Sequence, residues 1–424
     1  MLTALLFLLF IGMLLASVPV ALCMVVATGI ILASSGDFTM YMVTQRMFST
    51  LTNPTLMAIP AFIFAGVLMA RGGIARYLIE AVQAWVGHFP GGLAVVSTLC
   101  CMIFGAICGS SPATAVAIGS IMIPGMVKAG YDKKYAMGLI AASGTLGILI
   151  PPSIPLVIYG VTAEESIGKL FMAGIVPGII LGLSIMTLAV IRAKRLGYGS
   201  AEKATWEERW QKTFKALPGA FLPVLILGSI YSGIATPTES AVIASMYTII
   251  VSAFVYRELK LPDIRGIMVE SVGTASMLYL IISCAMVFAL YLTNAQVPHV
   301  ISQWIADNNI GVIGFFMMTA LMFFVMGTFL EAASIILITL PLLLPIMKIL
   351  GISPIHFAIV MVVNMELAQI TPPVGLNLFV VSSISRATVE QVVRGVIPYI
   401  ILMFIVMIVF MFFPQISLWL PDMM

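Results

Sequence analysis

Four polar interruptions break an otherwise apolar chain, and they are of two kinds. Two are turns rich in small and hydroxyl residues: Gly109-Ser110-Ser111-Pro112, and Gly327-Thr328-Phe329-Leu330-Glu331-Ala332-Ala333-Ser334. Two surround consecutive prolines: Gly147-Ile148-Leu149-Ile150-Pro151-Pro152-Ser153, and Ala368-Gln369-Ile370-Thr371-Pro372-Pro373-Val374-Gly375. Proline has no N–H and clashes with the carbonyl one turn back, so a proline pair stops a helix. The stop leaves orphan carbonyls on one half-helix and orphan N–H groups on the other. Carbonyl ends favour a cation, and N–H ends favour an anion. Taken singly, a Pro-Pro is a kink and a Ser-Ser-Pro is a helix cap. Four breaks in related pairs read as a binding site.

Other chemistry finds little support. His88, His299 and His356 lie far apart, and no HExxH, GxSxG or Walker motif occurs. No catalytic residue and no organic cofactor are expected, and without an ATP site any pumping must use an ion gradient. Cys23, Cys100, Cys101, Cys108 and Cys284 sit in apolar stretches without metal spacing and read as small buried side chains. Glu331 and Glu366 are costly in hydrocarbon unless paired or hydrated, so each belongs to a polar network or an ion path. In Thr236-Pro237-Thr238-Glu239 the threonine suits a cap, the proline the first helical position, and the glutamate closes a capping box.

The elements that must position these breaks follow from composition. Of 424 residues, 61% are hydrophobic and 9% charged, against roughly 25% charge in a soluble domain. With a mean hydropathy of +1.15 and long apolar runs, the chain reads as an all-α polytopic membrane protein. The net charge of +3 points to no nucleic-acid partner, and the apolar composition implies the lipid bilayer as partner. Apolar segments are expected at 3–17 and 19–34, which form a pair or one broken helix, and at 55–70. They recur at 91–127, 133–162, 170–191, 218–233, 238–256, 267–293, 310–348, 354–381 and 397–420. The first lacks a basic residue ahead of it and runs on to about residue 34, so it reads as a retained membrane helix rather than a signal peptide. Amphipathic stretches at 74–88 and 296–306 read as interfacial arms. The first gathers Ile74, Tyr77, Leu78, Ala81, Trp85 and Phe89, the second Val297, Val300, Ile301, Trp304 and Ile305. Residues 192–217 read as a charged linker.

That order of elements occurs twice. A shift of 221 residues sets Pro124 on Pro345, Met126 on Met347, Gly130 on Gly351 and Pro151-Pro152 on Pro372-Pro373, with Ser110 opposite Glu331. Placing the basic linker in the cytoplasm, and returning each interrupted segment to its side of entry, puts 17 of the 20 Lys and Arg inside. Only Arg46, Lys169 and Lys348 fall outside. The repeats are then inverted, with two re-entrant helical hairpins and two broken helices, the pattern of a secondary-transporter site. The expected organisation is scaffold and first arm (1–90), transport unit (91–162), scaffold and second arm (163–309), transport unit (310–381) and a C-terminal span (382–424).

These motifs, with Tyr231-Ser232-Gly233-Ile234-Ala235-Thr236-Pro237-Thr238-Glu239, resemble the large membrane subunit of TRAP (tripartite ATP-independent periplasmic) transporters over essentially the whole chain. The resemblance implies a sodium-driven, elevator-type carrier in a bacterial inner membrane. It also implies a small four-helix membrane subunit, a periplasmic substrate-binding protein, and a carboxylate cargo such as a dicarboxylate or sialic acid. No four-helix segment is fused here, so the small subunit is expected as a separate chain. Alternatives are a stand-alone sodium–dicarboxylate symporter of the same architecture and a non-transporting scaffold subunit. If hairpin and broken-helix carbonyls converge, one sodium site falls on Gly105, Cys108, Ser110, Gly147, Ile150 and Pro152. The second falls on Gly327, Ala368, Thr371 and Val374. No Arg or Lys occurs within 135–168 or 310–347, so the carboxylate is expected on N–H groups and hydroxyls between the tips. Ser110, Ser111, Ser153, Thr328, Pro373 and Asn377 are its expected contacts.

Overall fold

The computed structural model describes residues 2–35, 40–199 and 202–423, and among them every regular element is helical. The amino-terminal group comprises α1 (Leu2–Leu15), α2 (Val20–Ser35), α3 (Met40–Leu51), α4 (Ala58–Arg71) and α5 (Ile74–Val86). The first interrupted pair is α6 (Gly92–Cys108) and α7 (Ser111–Lys128). The first broken helix is α8 (Lys133–Thr145) and α9 (Ile154–Ala163), and α10 (Ile167–Arg195) follows. The central group is α11 (Trp206–Ala220), α12 (Leu222–Tyr231), α13 (Pro237–Ile250), α14 (Leu261–Asn294) and α15 (Val297–Asp307). The second interrupted pair is α16 (Val312–Gly327) and α17 (Ala332–Leu350), and the second broken helix is α18 (Pro354–Gln369) and α19 (Leu376–Ser385). The chain closes with α20 (Val389–Phe412) and α21 (Gln415–Leu418).

All four expected breaks are therefore present, each where helix-stopping chemistry placed it. Six described helices are long and apolar enough to cross a membrane, or seven if α11 and α12, bent by 42°, count as one. Helix α6, with 17 residues, is about 25 Å long at 1.5 Å per residue, short of the ~30 Å hydrocarbon core. The capping box at Thr236 is formed: the Thr236 N–H donates to Glu239 Oε2 at 2.7 Å, and Glu239 N–H to Thr236 Oγ1 at 3.3 Å.

Three expectations need correction. Residues 192–217 are not a linker: α10 runs on to Arg195, and α11 starts at Trp206 behind a Thr205–Glu208 capping box. Helix α11 packs on the first arm, α5, where Trp85 Nε1 donates to Thr213 Oγ1 at 2.8 Å and the Arg209 guanidinium lies over the Trp85 ring. Charge density hid this helix, although Thr205 three residues before Glu208 is a start signal. Helix α3 was also missed, because Thr44, Gln45 and Arg46 interrupt its apolar pattern; it packs against α14. In the second arm, α15, only part of the expected face is buried. Val297 and Ile305 pack inward, while Val300 and Trp304 are exposed.

Close helix contact in hydrocarbon rests on small residues that let backbones approach. The clearest case is the α8–α20 seam. A Cβ on Gly138 would lie 2.2 Å from the Gly395 carbonyl, and one on Gly395 would lie 2.0 Å from the Lys134 carbonyl oxygen. Gly395→Ala must push α20 off α8, whereas Gly273, with nothing within 4 Å of an added Cβ, has room. Overpacking of this kind costs about 1–3 kcal/mol or more. Gly395→Ala is expected to lower the unfolding temperature of the detergent-solubilised protein by several degrees, and Gly273→Ala to leave it unchanged, as read by fluorescence-detected thermal unfolding.

Candidate functional site

Each hairpin tip is joined to the neighbouring broken helix by one backbone hydrogen bond. In the first half, Ile154 N–H donates to the Gly109 carbonyl at 3.3 Å. In the second, Gly375 N–H donates to the Thr328 carbonyl at 3.0 Å. Ile154 and Gly375 are separated by the same 221 residues that relate the two Pro-Pro breaks. The first tip and the second break are each tight enough to require glycine. Gly109 (φ 61°) and Gly375 (φ 60°) adopt left-handed backbone. A Cβ on Gly109 would lie 2.8 Å from the Pro152 carbonyl oxygen; one on Gly375 would lie 2.9 Å from that of Thr371 and 3.1 Å from that of Gln369.

Most residues of the first expected ion site are close neighbours. A Cβ on Gly105 would lie 2.7 Å from Gly147 Cα, and one on Gly147 would lie 2.8 Å from the Ser110 carbonyl oxygen. Cys108, Gly109 and Pro152 border the same junction. The Ser110 carbonyl is heavily engaged, accepting from Thr114 N–H at 3.1 Å and Thr114 Oγ1 at 2.8 Å, with Cys108 Sγ at 3.5 Å. The Ile150 side chain turns away and packs at Gly178 of α10. Thr114, one turn beyond Ser110, went unrecognised; a hydroxyl at that spacing was the available signal.

All four residues of the second expected site come together. A Cβ on Gly327 would lie 2.6 Å from Ala368 Cβ. Thr371 N–H donates to the Ala368 carbonyl at 3.1 Å, and its hydroxyl to that of Leu367 at 2.7 Å. Gly327, Thr328 and Val374 line one cavity of about 340 Å³, together with Glu331.

A second cavity, of about 350 Å³, lies between the two tips and helices α4 and α14. Ser110, Ser111, Pro112 and Ala113 line it from one tip, Glu331, Ala332 and Ala333 from the other, and Gln369 from the second break. Two helix N-termini, those of α7 and α17, thus face one space. Neither has a side-chain cap, although Ser153, Ser166, Thr205, Thr236, Ser353 and Thr388 all cap their helices. Among the lining residues the charged ones are Glu270 and Glu331, and none is basic.

The expected carboxylate contacts divide accordingly. Ser110 and Ser111 line the inter-tip cavity, and Thr328 lines the other. Ser153 is fully buried, accepts from Leu156 N–H and donates to the Ile148 carbonyl, so it holds the break rather than facing either space. Asn377 is also fully buried; its amide donates to Ser111 Oγ at 2.6 Å and to the Ala141 carbonyl at 3.3 Å. It ties α19 to α7 and α8 behind the cavity, so removing its side chain disturbs packing as well as any ligand contact. Pro373 is exposed and lines neither cavity. Gln369 and Glu270, which do line the inter-tip cavity, were not singled out in the sequence; Gln369 sits within the second break and was legible there. Glu366 is fully buried, with neither carboxyl oxygen hydrogen-bonded among the described residues.

Comparison with known proteins bears on this geometry. The family model for the tripartite ATP-independent periplasmic transporter, DctM component, matches residues 7–416. The C4-dicarboxylate TRAP transporter large permease protein DctM of Pseudomonas aeruginosa is 43% identical over 377 residues, covering 89% of this chain and 88% of that protein. The protein of the same description from Vibrio cholerae is 39% identical over 445 residues, covering 100% and 98%. In fold, the chain is similar to the Alcanivorax borkumensis YdaH transporter, with a TM-score of 0.56 at 12% identity over 85% of this chain and 86% of that one. The chain therefore belongs to the TRAP transporter DctM family, as a large permease subunit of the bacterial inner membrane and not an enzyme.

Proposed function

We propose that this permease takes up a four-carbon dicarboxylate, driven by sodium, with its hairpins and broken helices moving as one unit against the remaining helices. The observation that carries the reading is the pair of uncapped helix N-termini, α7 and α17, bordering one cavity. A helix N-terminus offers N–H groups and partial positive charge to an anion, and two of them offer one end each to a two-ended anion. A cavity near 350 Å³ suits a small ligand. The relatives at 43% and 39% identity carry C4-dicarboxylate in their names, while a sialic acid TRAP permease from Vibrio cholerae is 33% identical. That ordering favours dicarboxylate over sialic acid.

Sodium is the natural coupling ion for two breaks that present carbonyl oxygens. The proposed first site uses Gly105, Cys108, Ser110, Gly147, Ile150 and Pro152, and the second Gly327, Ala368, Thr371 and Val374. Support for the second comes from the carbonyl oxygens of Thr371 and Gln369, which lie 2.9 and 3.1 Å from where a Cβ on Gly375 would stand. Inverted repeats on opposite leaflets would give the two breaks alternate access to the two sides, and an elevator needs one part held while the other slides. A small membrane subunit would widen the held part, and a periplasmic binding protein would deliver cargo. The isethionate TRAP transporter permease protein DctMQ of Oleidesulfovibrio alaskensis, of which this chain matches 64%, supports a partnership with a small membrane subunit.

Two outcomes are expected. Sodium-driven succinate uptake into proteoliposomes should require this chain, the small subunit and the binding protein together; full uptake of free succinate by this chain alone would instead identify a stand-alone symporter. Thr371→Ala removes the one side-chain oxygen of the second ion site. It should raise the sodium concentration for half-maximal uptake severalfold with expression unchanged, and an unmoved sodium dependence would remove that site.

A further inference from the structure

We propose that the Arg71–Glu270 ion pair is a carboxylate station at the cytoplasmic mouth of the inter-tip cavity, where an outgoing substrate carboxylate displaces Glu270 from Arg71. This rests on the dicarboxylate reading above. The wall that α4 contributes to the cavity ends at Ala70, next to Arg71, and the wall from α14 begins at Glu270. Arg71 Nη2 meets Glu270 Oε2 at 2.5 Å. The guanidinium comes close to α14 because residue 266 is glycine; a Cβ there would sit 2.8 Å from Nη1. One turn on, Glu270 faces the cavity, with Thr274 beyond it. Arg71 also belongs to the basic set that the distribution of Lys and Arg places inside the cell.

Charge decides what this pair does. The cavity is lined by two carboxylates, Glu270 and Glu331, and by no cation. An anionic cargo leaving the helix N-termini meets like charge there, and Arg71, next to the lining residue Ala70, is the cation that can offset it. The pair is half exposed, at 47% and 49% of the side-chain surface, and ion pairs so exposed are weakly held. A competing carboxylate can therefore exchange with Glu270 on the arginine fork, which suits carboxylates two-handedly. Helices α4 and α14 already pack against each other, so the pair is not needed to join them.

The two residues must then act with opposite signs. Arg71→Gln removes the station and leaves Glu270 unpaired, whereas Glu270→Gln removes the competitor and frees the station. The test is succinate counterflow in proteoliposomes holding the complete transporter, read as the internal succinate concentration for half-maximal exchange. Arg71→Gln should raise it at least threefold. Glu270→Gln should lower it or leave it at the wild-type value, with unfolding temperatures unchanged for both. Arg71→Lys, which keeps the charge without the fork, should fall between wild type and Arg71→Gln, and it serves if the glutamine variant does not fold. An unmoved Arg71→Gln, or a parallel rise in both neutralising variants, overturns the station while leaving the transport reading intact. No exchange by the wild-type complex overturns both.

Discussion

Backbone that is not helical must find partners wherever water is excluded, and this structure meets that demand twice. Lipid offers no hydrogen bonds, so an unwound segment survives only against protein or a wet cavity. Here each proline break is held by the tip of the adjacent hairpin through a single backbone bond, from Ile154 in one half and from Gly375 in the other. Each contact in turn needs a left-handed glycine beside a carbonyl oxygen, Gly109 in the first tip and Gly375 in the second break. Break and tip are mutual conditions: without the break the tip has no donor, and without the tip the break is an unpaired gap in hydrocarbon.

The same economy governs the side chains around the breaks. Thr98 and Ser143 share a hydrogen bond of 3.2 Å between α6 and α8, and the Asn364 amide donates to the Ala320 carbonyl at 3.0 Å between α18 and α16. Ser143 and Asn364 are again 221 residues apart. One polar tether per half therefore fixes the first helix of each hairpin to the first half of each broken helix. A tether of this kind sets register in surroundings where apolar packing alone is permissive, because lipid tails compete equally well for an apolar helix face.

Much of this was legible in the sequence because helix breaking is local chemistry. Proline pairs, a Gly-Ser-Ser-Pro turn and a Thr-Pro-Thr-Glu cap act through their own backbone, whatever surrounds them. The doubled order of elements was equally readable, since the shift that aligns the prolines also aligns the donors to the tips. What was not legible depends on the third dimension. Ser153 and Asn377 look like ligands by type, but burial turns one into a cap and the other into a tie between halves. Helix α11 was hidden because its protein-facing side carries Arg209, whose charge is accommodated over the rings of Trp85 and Trp206 rather than in water. Glu270 could not be found from its own segment, because its role depends on an arginine 199 residues away.

The tie at Asn377 has a mechanical consequence. Its amide reaches from the second broken helix to the first hairpin's Ser111 and to the first broken helix at Ala141. Ser111 lines the inter-tip cavity, while Asn377 lies two residues beyond Gly375, whose N–H closes the second tip. A displacement of the second break therefore pulls directly on the wall of the space where the α7 N-terminus faces α17. An ion at the break and an anion in the cavity would share one strut, and a ligand that stabilised one arrangement of that strut would favour the other site's matching arrangement. Linkage requires such coupling to be reciprocal, so an ion bound at the second break and an anion between the tips would each strengthen the other without touching.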